Sequence, residues 1–228
     1  MSHLTKICSI LCLAGIVAGC NRPVMETVLN GYDQGKRTMK MEFRFFNESL
    51  ENGAKGYRLE TLVHFAIGNR ATLKRVRTTW LDKDFNLVKS EVENQENADI
   101  SHTKTWVDGG KIHIETTGPD GKVNSQQLDH QGPVLLELHP LVYTHDLKIP
   151  GSTKTYPVLY EDEARVVPLE VKFLGPETLY EENQATPSLH YQIQAITSPD
   201  EYDDYYLDPK TRNIQKIQFG LIKFVPAT

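Results

Sequence analysis

Residues 57–67 read Tyr57-Arg58-Leu59-Glu60-Thr61-Leu62-Val63-His64-Phe65-Ala66-Ile67. Tyr57, Leu59, Thr61, Val63, Phe65 and Ile67 fall on one side of a period-two count, and Arg58, Glu60 and His64 on the other. That alternation marks a β-strand with one face on a core and one face in water. The same period runs through Met41, Phe43 and Phe45, which alternate with Glu42 and Arg44.

Working outward, further strands are expected at Thr72–Leu81, Leu87–Glu93, Ser101–Trp106, Lys111–Thr116 and Val123–Leu128. The dipeptides Asp108-Gly109 and Asp120-Gly121 punctuate them, supplying residues that accept the positive φ of tight hairpins. After a Gly-Pro start, Val134, Leu135, Leu138, Leu141 and Val142 recur at helical steps, so one short helix is expected over Pro133–Tyr143, bent or shortened by Pro140. Strands resume at Thr155–Glu161, Val166–Leu174, Leu189–Ile196, Asp204–Leu207 and Ile214–Phe224, with Glu161-Asp162-Glu163 as a charged hairpin tip. Two stretches echo each other: Trp80-Leu81-Asp82 followed by Asn86-Leu87 and Lys89, and Tyr206-Leu207-Asp208 followed by Asn213-Ile214 and Lys216. The fold class is mainly β: an antiparallel β-meander or half-barrel-like sheet, readable as two repeated halves (37–130 and 146–228), with one helix near 133–143.

Among 228 residues, 39% are hydrophobic and 24% charged, which excludes a disordered, collagen-like or coiled-coil chain. With 25 Lys+Arg against 30 Asp+Glu, the net charge of −5 lacks the basic footprint of a nucleic-acid binder.

The N-terminus carries an address. Lys6 supplies a positive start, Ile7 to Ala18 is apolar or small apart from Ser9, and small residues precede Cys20, the layout of an export signal too short to span a bilayer. Val17-Ala18-Gly19-Cys20 resembles the lipobox of bacterial lipoproteins. The resemblance implies cleavage before Cys20, diacylglycerol on its thiol, palmitate-type acylation of its amino group and, with Asn21 next, sorting to the outer membrane facing the periplasm. Residues 1–19 are then a signal peptide and 20–36 a lipidated cysteine and tether, with a helical turn at Met25–Leu29. The three cysteines are Cys8, Cys12 and Cys20, so no thiol remains in the body for a disulfide, a nucleophile or a Cys-ligated zinc.

The order from Pro133 onward, through Tyr156-Pro157-Val158 to Tyr206-Leu207-Asp208, resembles uncharacterised bacterial periplasmic β-meander proteins. In architecture alone it is similar to the outer-membrane lipoprotein carrier and receptor proteins, which cradle acyl chains in a half-barrel.

No G-x-S-x-G, H-E-x-x-H, P-loop or Rossmann pattern occurs, and no catalytic residue, metal or cofactor is expected. His130, His139, His145 and Asp146 straddle Pro140, a poor layout for a zinc site, and Asp200, Glu201, Asp203, Asp204 and Asp208 lack the order of an EF-hand loop. Trp80, Trp106, Phe43, Phe65 and Tyr143 are the ligand-binding candidates. They line an apolar groove or fill a core, and the sequence does not separate the two. The expected function is a membrane-anchored, non-enzymatic binding or envelope-assembly module whose partner is an envelope protein, a glycan or a lipid. A lipid-carrier-like module with an apolar groove and a carboxylate-dependent hydrolase are the rivals.

Overall fold

The structure is a computed structural model that describes residues 22–67, 71–136, 139–181, 184–197 and 201–227. Cys20 and the signal lie outside the described residues, as do Leu138 of the expected helix and Asp200 of the acidic run. The chain forms β1 (Met25–Asp33), β2 (Lys36–Ser49), β3 (Lys55–Ile67), β4 (Ala71–Asp82), β5 (Leu87–Glu96), β6 (Asp99–Asp108), β7 (Lys111–Thr117) and β8 (Val123–Asp129). Helix α1 (Pro140–Asp146) follows, then β9 (Thr153–Tyr160), β10 (Arg165–Glu181), β11 (Gln184–Ala195), β12 (Tyr202–Leu207), β13 (Ile214–Phe219) and β14 (Ile222–Pro226).

All fourteen strands join one antiparallel sheet in the order β8-β7-β6-β5-β4-β3-β2-β1-β14-β13-β12-β11-β10-β9. Two meanders, β1–β8 and β9–β14, are welded where the first strand pairs with the last, Leu29 opposite Pro226 and Asp33 opposite Ile222. Edges β8 and β9 do not pair, so the sheet stays open. It nevertheless curls, and its concave face is the core. Leu29, Tyr143, Val171, Tyr191, Leu207 and Ile217 lie within one cluster between α1 and both meanders. Leu87, Ile112, Ile114, Val134, Leu136 and Leu159 form a second, and Met25, Phe45, Leu59 and Leu81 a third.

The segment before α1 threads this concavity. Leu135 makes a parallel bridge to Val158, covering part of the β9 edge, while the Val134 carbonyl accepts a hydrogen bond from Leu87 N–H at 2.8 Å. Helix α1 starts later than its sequence pattern suggests. Pro140 does not bend the helix but opens it, because a proline in the first turn forfeits no helical hydrogen bond, and the buried His139 caps it by accepting from Leu141 N–H at 3.2 Å.

Two further sequence expectations need correction. The stretch read as a tether with a helical turn becomes the central strand β1, since Met25, Thr27, Leu29 and Gly31 alternate inward with period two. Gly31 is there for space: a Cβ would sit 2.6 Å from the Phe224 ring and 2.8 Å from Met39 Cβ. The run Ile214–Phe224 is not one strand but the hairpin β13–β14, turning at Gly220 with φ +53°.

The two echoing stretches form hairpins of the same construction. In each, an Asp carboxylate accepts hydrogen bonds from turn N–H groups (Asp82 from Asp84 and Asn86, Asp208 from Lys210 and Thr211). In each, the residue before the Asn is left-handed: Phe85 at φ +67° and Arg212 at φ +63°. A bulge follows at Trp80/Leu81 and at Tyr206/Leu207, so that residues three apart, Leu87 with Ser90 and Ile214 with Ile217, turn inward. Outside, Lys89 lies 4.5 Å from the Trp80 ring centre and Lys216 5.4 Å from that of Tyr206. One local solution to a tight turn therefore serves both meanders. Among the described residues, no helix is long and apolar enough to cross a membrane.

Candidate functional site

The concave face is not filled throughout. A cavity of about 460 Å³ remains between the meanders, within the range of small-molecule sites. Its apolar wall is built from inward positions of β2, β3, β10, β11 and β13: Phe43, Val63, Leu169, Ile193, Ile217 and Phe219. Another part of the wall is charged. Arg75 and Arg77 project from β4, Glu161 and Asp162 from the 3₁₀ turn between β9 and β10, and Asp203 from β12.

Register explains why charges point inward. Arg75 and Arg77 lie opposite Val63 and Thr61, both buried, so they occupy the inner row of β4 while Val76 takes the outer one. Asp203 lies between Ile193 and Phe219 on the neighbouring strands, in the inner row with Tyr205 and Leu207.

These charges are satisfied unequally. Glu161 is buried and holds Arg77 at 2.6 Å across the concavity, while Thr105 of β6 donates its hydroxyl to the same carboxylate. Arg75 meets only the exposed Asp162, at 3.6 Å, and its buried Nε has no hydrogen-bond partner among the described residues. Glu163, also on the cavity wall, is paired outward with Arg165. Asp203 has no cation or donor on its carboxyl among the described residues. Burial, then repulsion from Asp204 and Glu201, raises its pKa from 3.8 to about 6.

A pH dependence of stability follows. The folded pKa of Asp203 exceeds the unfolded one, so the folded state binds the proton more tightly. Stability from this group is complete below pH 3.8 and is lost as pH rises through about 6. Asp203→Asn should match the parent near pH 4 and exceed it by about 1–2 kcal/mol at pH 7, allowing for solvent screening of a half-buried group. Urea unfolding at the two pH values measures this, and a variant no more stable at pH 7 would refute it.

A polar groove of about 310 Å³ adjoins the cavity and shares Glu161 and Asp162 with it. Asn94, Ser101, Thr103, Thr116, Asn124 and Gln126 line it with Ile114, the inner rows of β5–β8 changing here from aliphatic to amide and hydroxyl. The concavity is therefore amphipathic along its length.

Of the five aromatic candidates, only Phe43 lines the cavity. Tyr143 is fully buried against Tyr191, with ring centres 5.0 Å apart, and burial lifts its hydroxyl well above the ordinary tyrosine range. Phe65 lines a separate cleft of about 500 Å³ with Arg37, Lys40, His64 and Lys74. Trp80 and Trp106 stand on the convex face, where cross-strand register builds a row of Phe46, Arg58, Trp80, Lys89, Trp106 and His113. Trp106 stacks on His113 at 4.9 Å, and Arg58 lies 4.1 Å from the Phe46 ring centre. His130 and His145 do not join His139: the former bonds the Pro133 carbonyl at 3.3 Å, the latter lies 3.6 Å from Asp146. Among the described residues no group of three or more His, Cys, Asp or Glu is arranged to hold a metal ion. Missing from the sequence reading altogether were Arg75, Arg77 and the inward turn of Glu161. The phase of two set by Val63 and Leu81 carried the signal for the arginines.

No protein-family model matches the chain, and no curated protein matches it. Among solved structures it is similar to a β-barrel-like protein of the domain of unknown function DUF1849 from Brucella abortus, with TM-score 0.54 and 12% identity over 88% of this chain and 93% of that one. This is a likeness of fold. A DUF1089 family protein from Pseudomonas aeruginosa is also similar, with TM-score 0.47 and 14% identity over 81% of this chain and 90% of that one. The body is thus an antiparallel, β-barrel-like domain whose sheet remains open.

Proposed function

We propose that this protein is a lipid-anchored module of the bacterial cell envelope, held at the outer membrane facing the periplasm, that binds a small amphipathic molecule inside its curled sheet without transforming it. The observation that carries this reading is the cavity, in which apolar side chains from five strands face a charged wall within one concavity. A stable fold gains nothing from leaving such space beside buried charges, since filling it would add dispersion contacts. Tethering would supply the rest, because confinement to a membrane surface raises the effective concentration of any envelope partner.

The test is to solubilise the full-length protein from an envelope fraction, exchange it into volatile buffer and record native mass spectra, then denature it and identify what is released. A stoichiometric small amphiphile, lost in Leu169→Trp, whose indole would occupy the cavity, supports the proposal. An empty protein from every preparation refutes it. One observation favours hydrolysis by carboxylates as a second reading: Asp203, with its raised pKa, and the arginine-held Glu161 share the cavity, a contrast of environments that acid–base pairs use. Recovery of a cleaved product in place of the intact ligand would establish it.

A further inference from the structure

Charge accounting around the cavity isolates one group. Arg77 is answered by Glu161, Arg75 by Asp162 and Glu163 by Arg165. Asp203 alone of the wall's charged side chains is answered by nothing among the described residues. It is not placed so that water serves it well. Its cross-strand neighbours are Ile193 and Phe219, and Tyr160 of β9 lies close enough to feel its charge.

We propose that the cavity takes an amphipathic organic cation, an alkyl- or arylammonium, whose charged head rests against Asp203 and whose apolar body lies along Phe43, Val63, Ile217 and Phe219. This rests on the reading of the cavity as a ligand site and goes beyond it by fixing the sign of the ligand's charge. Three observations agree. An ammonium would supply the counter-charge that Asp203 lacks. The rings of Tyr160, Tyr205 and Phe219, which line the same cavity as Asp203, are surfaces that attract a desolvated cation. And the wall carries four carboxyl groups, of Glu161, Asp162, Glu163 and Asp203, against the two guanidinium groups of Arg75 and Arg77, a balance that favours a cation.

Binding would then be coupled to protonation. The groups able to influence Asp203 are Tyr160 on β9, Tyr205, Asp204 and Glu201 on or beside β12, the acidic turn Glu161–Glu163, and Arg75, Arg77 and His139 elsewhere on the wall. An ammonium ligand prefers the ionised carboxylate. With Asp203 titrating near 6, affinity should fall by about tenfold between pH 7.5 and pH 5.

The experiment is titration of the full-length protein in detergent with octylammonium, octanoate and octanol, followed by native mass spectrometry or calorimetry. At pH 7.5 octylammonium should bind at least tenfold more tightly than either of the others, as a charge-assisted contact implies. In Asp203→Asn, a variant expected to fold well because it loses an unpaired charge, that advantage and the pH dependence should both disappear. Equal binding of all three probes, or preference for octanoate, overturns the inference while leaving a ligand cavity in place. Failure of all three to bind overturns the inference and the cavity reading together. Unchanged octylammonium affinity in Asp203→Asn overturns the assignment to this residue.

Discussion

Arg77→Met should cost about 3–5 kcal/mol of folding stability, a large share of the roughly 5–15 kcal/mol that a domain possesses. The side chain joins Glu161 at 2.6 Å, and the two retain 12% and 2% of their exposure. Removing the guanidinium leaves a carboxylate that cannot reach water and whose remaining partner among the described residues is the Thr105 hydroxyl. The pair also does architectural work. Arg77 belongs to the first meander and Glu161 to the second, 84 residues away, so the bond holds the β9–β10 turn against the inner face of β4–β6 and keeps the open sheet curled. Thermal unfolding should fall by about 10 °C for a chain of this size. The double variant Arg77→Met, Glu161→Leu should recover most of the loss, because an apolar pair of similar volume replaces a buried ion pair at little or no cost. A single variant within 1 kcal/mol of the parent by urea unfolding would show that the tie is dispensable.

How much of this was visible in the sequence follows from what each feature depends on. Strand existence depends on period two, and β3 declares it without help because its inner row, Tyr57 to Phe65, is almost uniformly apolar. The paired Asp hairpins are equally legible, since Asp82 and Asp208 act on backbone within a few residues. Strand β1 was lost to its company. Asn30, Gly31, Tyr32 and Gly35 resemble a linker locally, and its strand character comes from pairing with β2 and with β14 at the far end of the chain. The helix start was misplaced because Gly132-Pro133 and His139-Pro140 offer the same signal, and only the threading of Val134 and Leu135 against β5 and β9 selects the second. The site was the least legible. Leu73, Arg75 and Arg77 share a row, but charged residues on a half-apolar strand read as the wet face. What reverses that is a carboxylate 84 residues later. Likewise Asp203 is one acid in an acidic run until Leu207 fixes the phase of β12 and sends it inward.

The largest effect of all is expected at Cys20. Cys20→Ala should abolish incorporation of labelled palmitate and move the protein from the membrane fraction to the soluble one, with circular dichroism and thermal unfolding unchanged. Each buried methylene contributes about 0.8 kcal/mol, so two or three acyl chains hold a protein where one chain binds marginally and none does not bind at all. Net charge would not substitute: 30 acidic side chains face 25 basic ones, and an anionic surface repels that balance. The fold should hold, because β1 begins at Met25 and, among the described residues, the core clusters are built from Met25 onward. If the alanine variant instead sediments with membranes after a high-salt wash, some surface of the sheet itself binds lipid, and the acyl anchor is not what holds the protein.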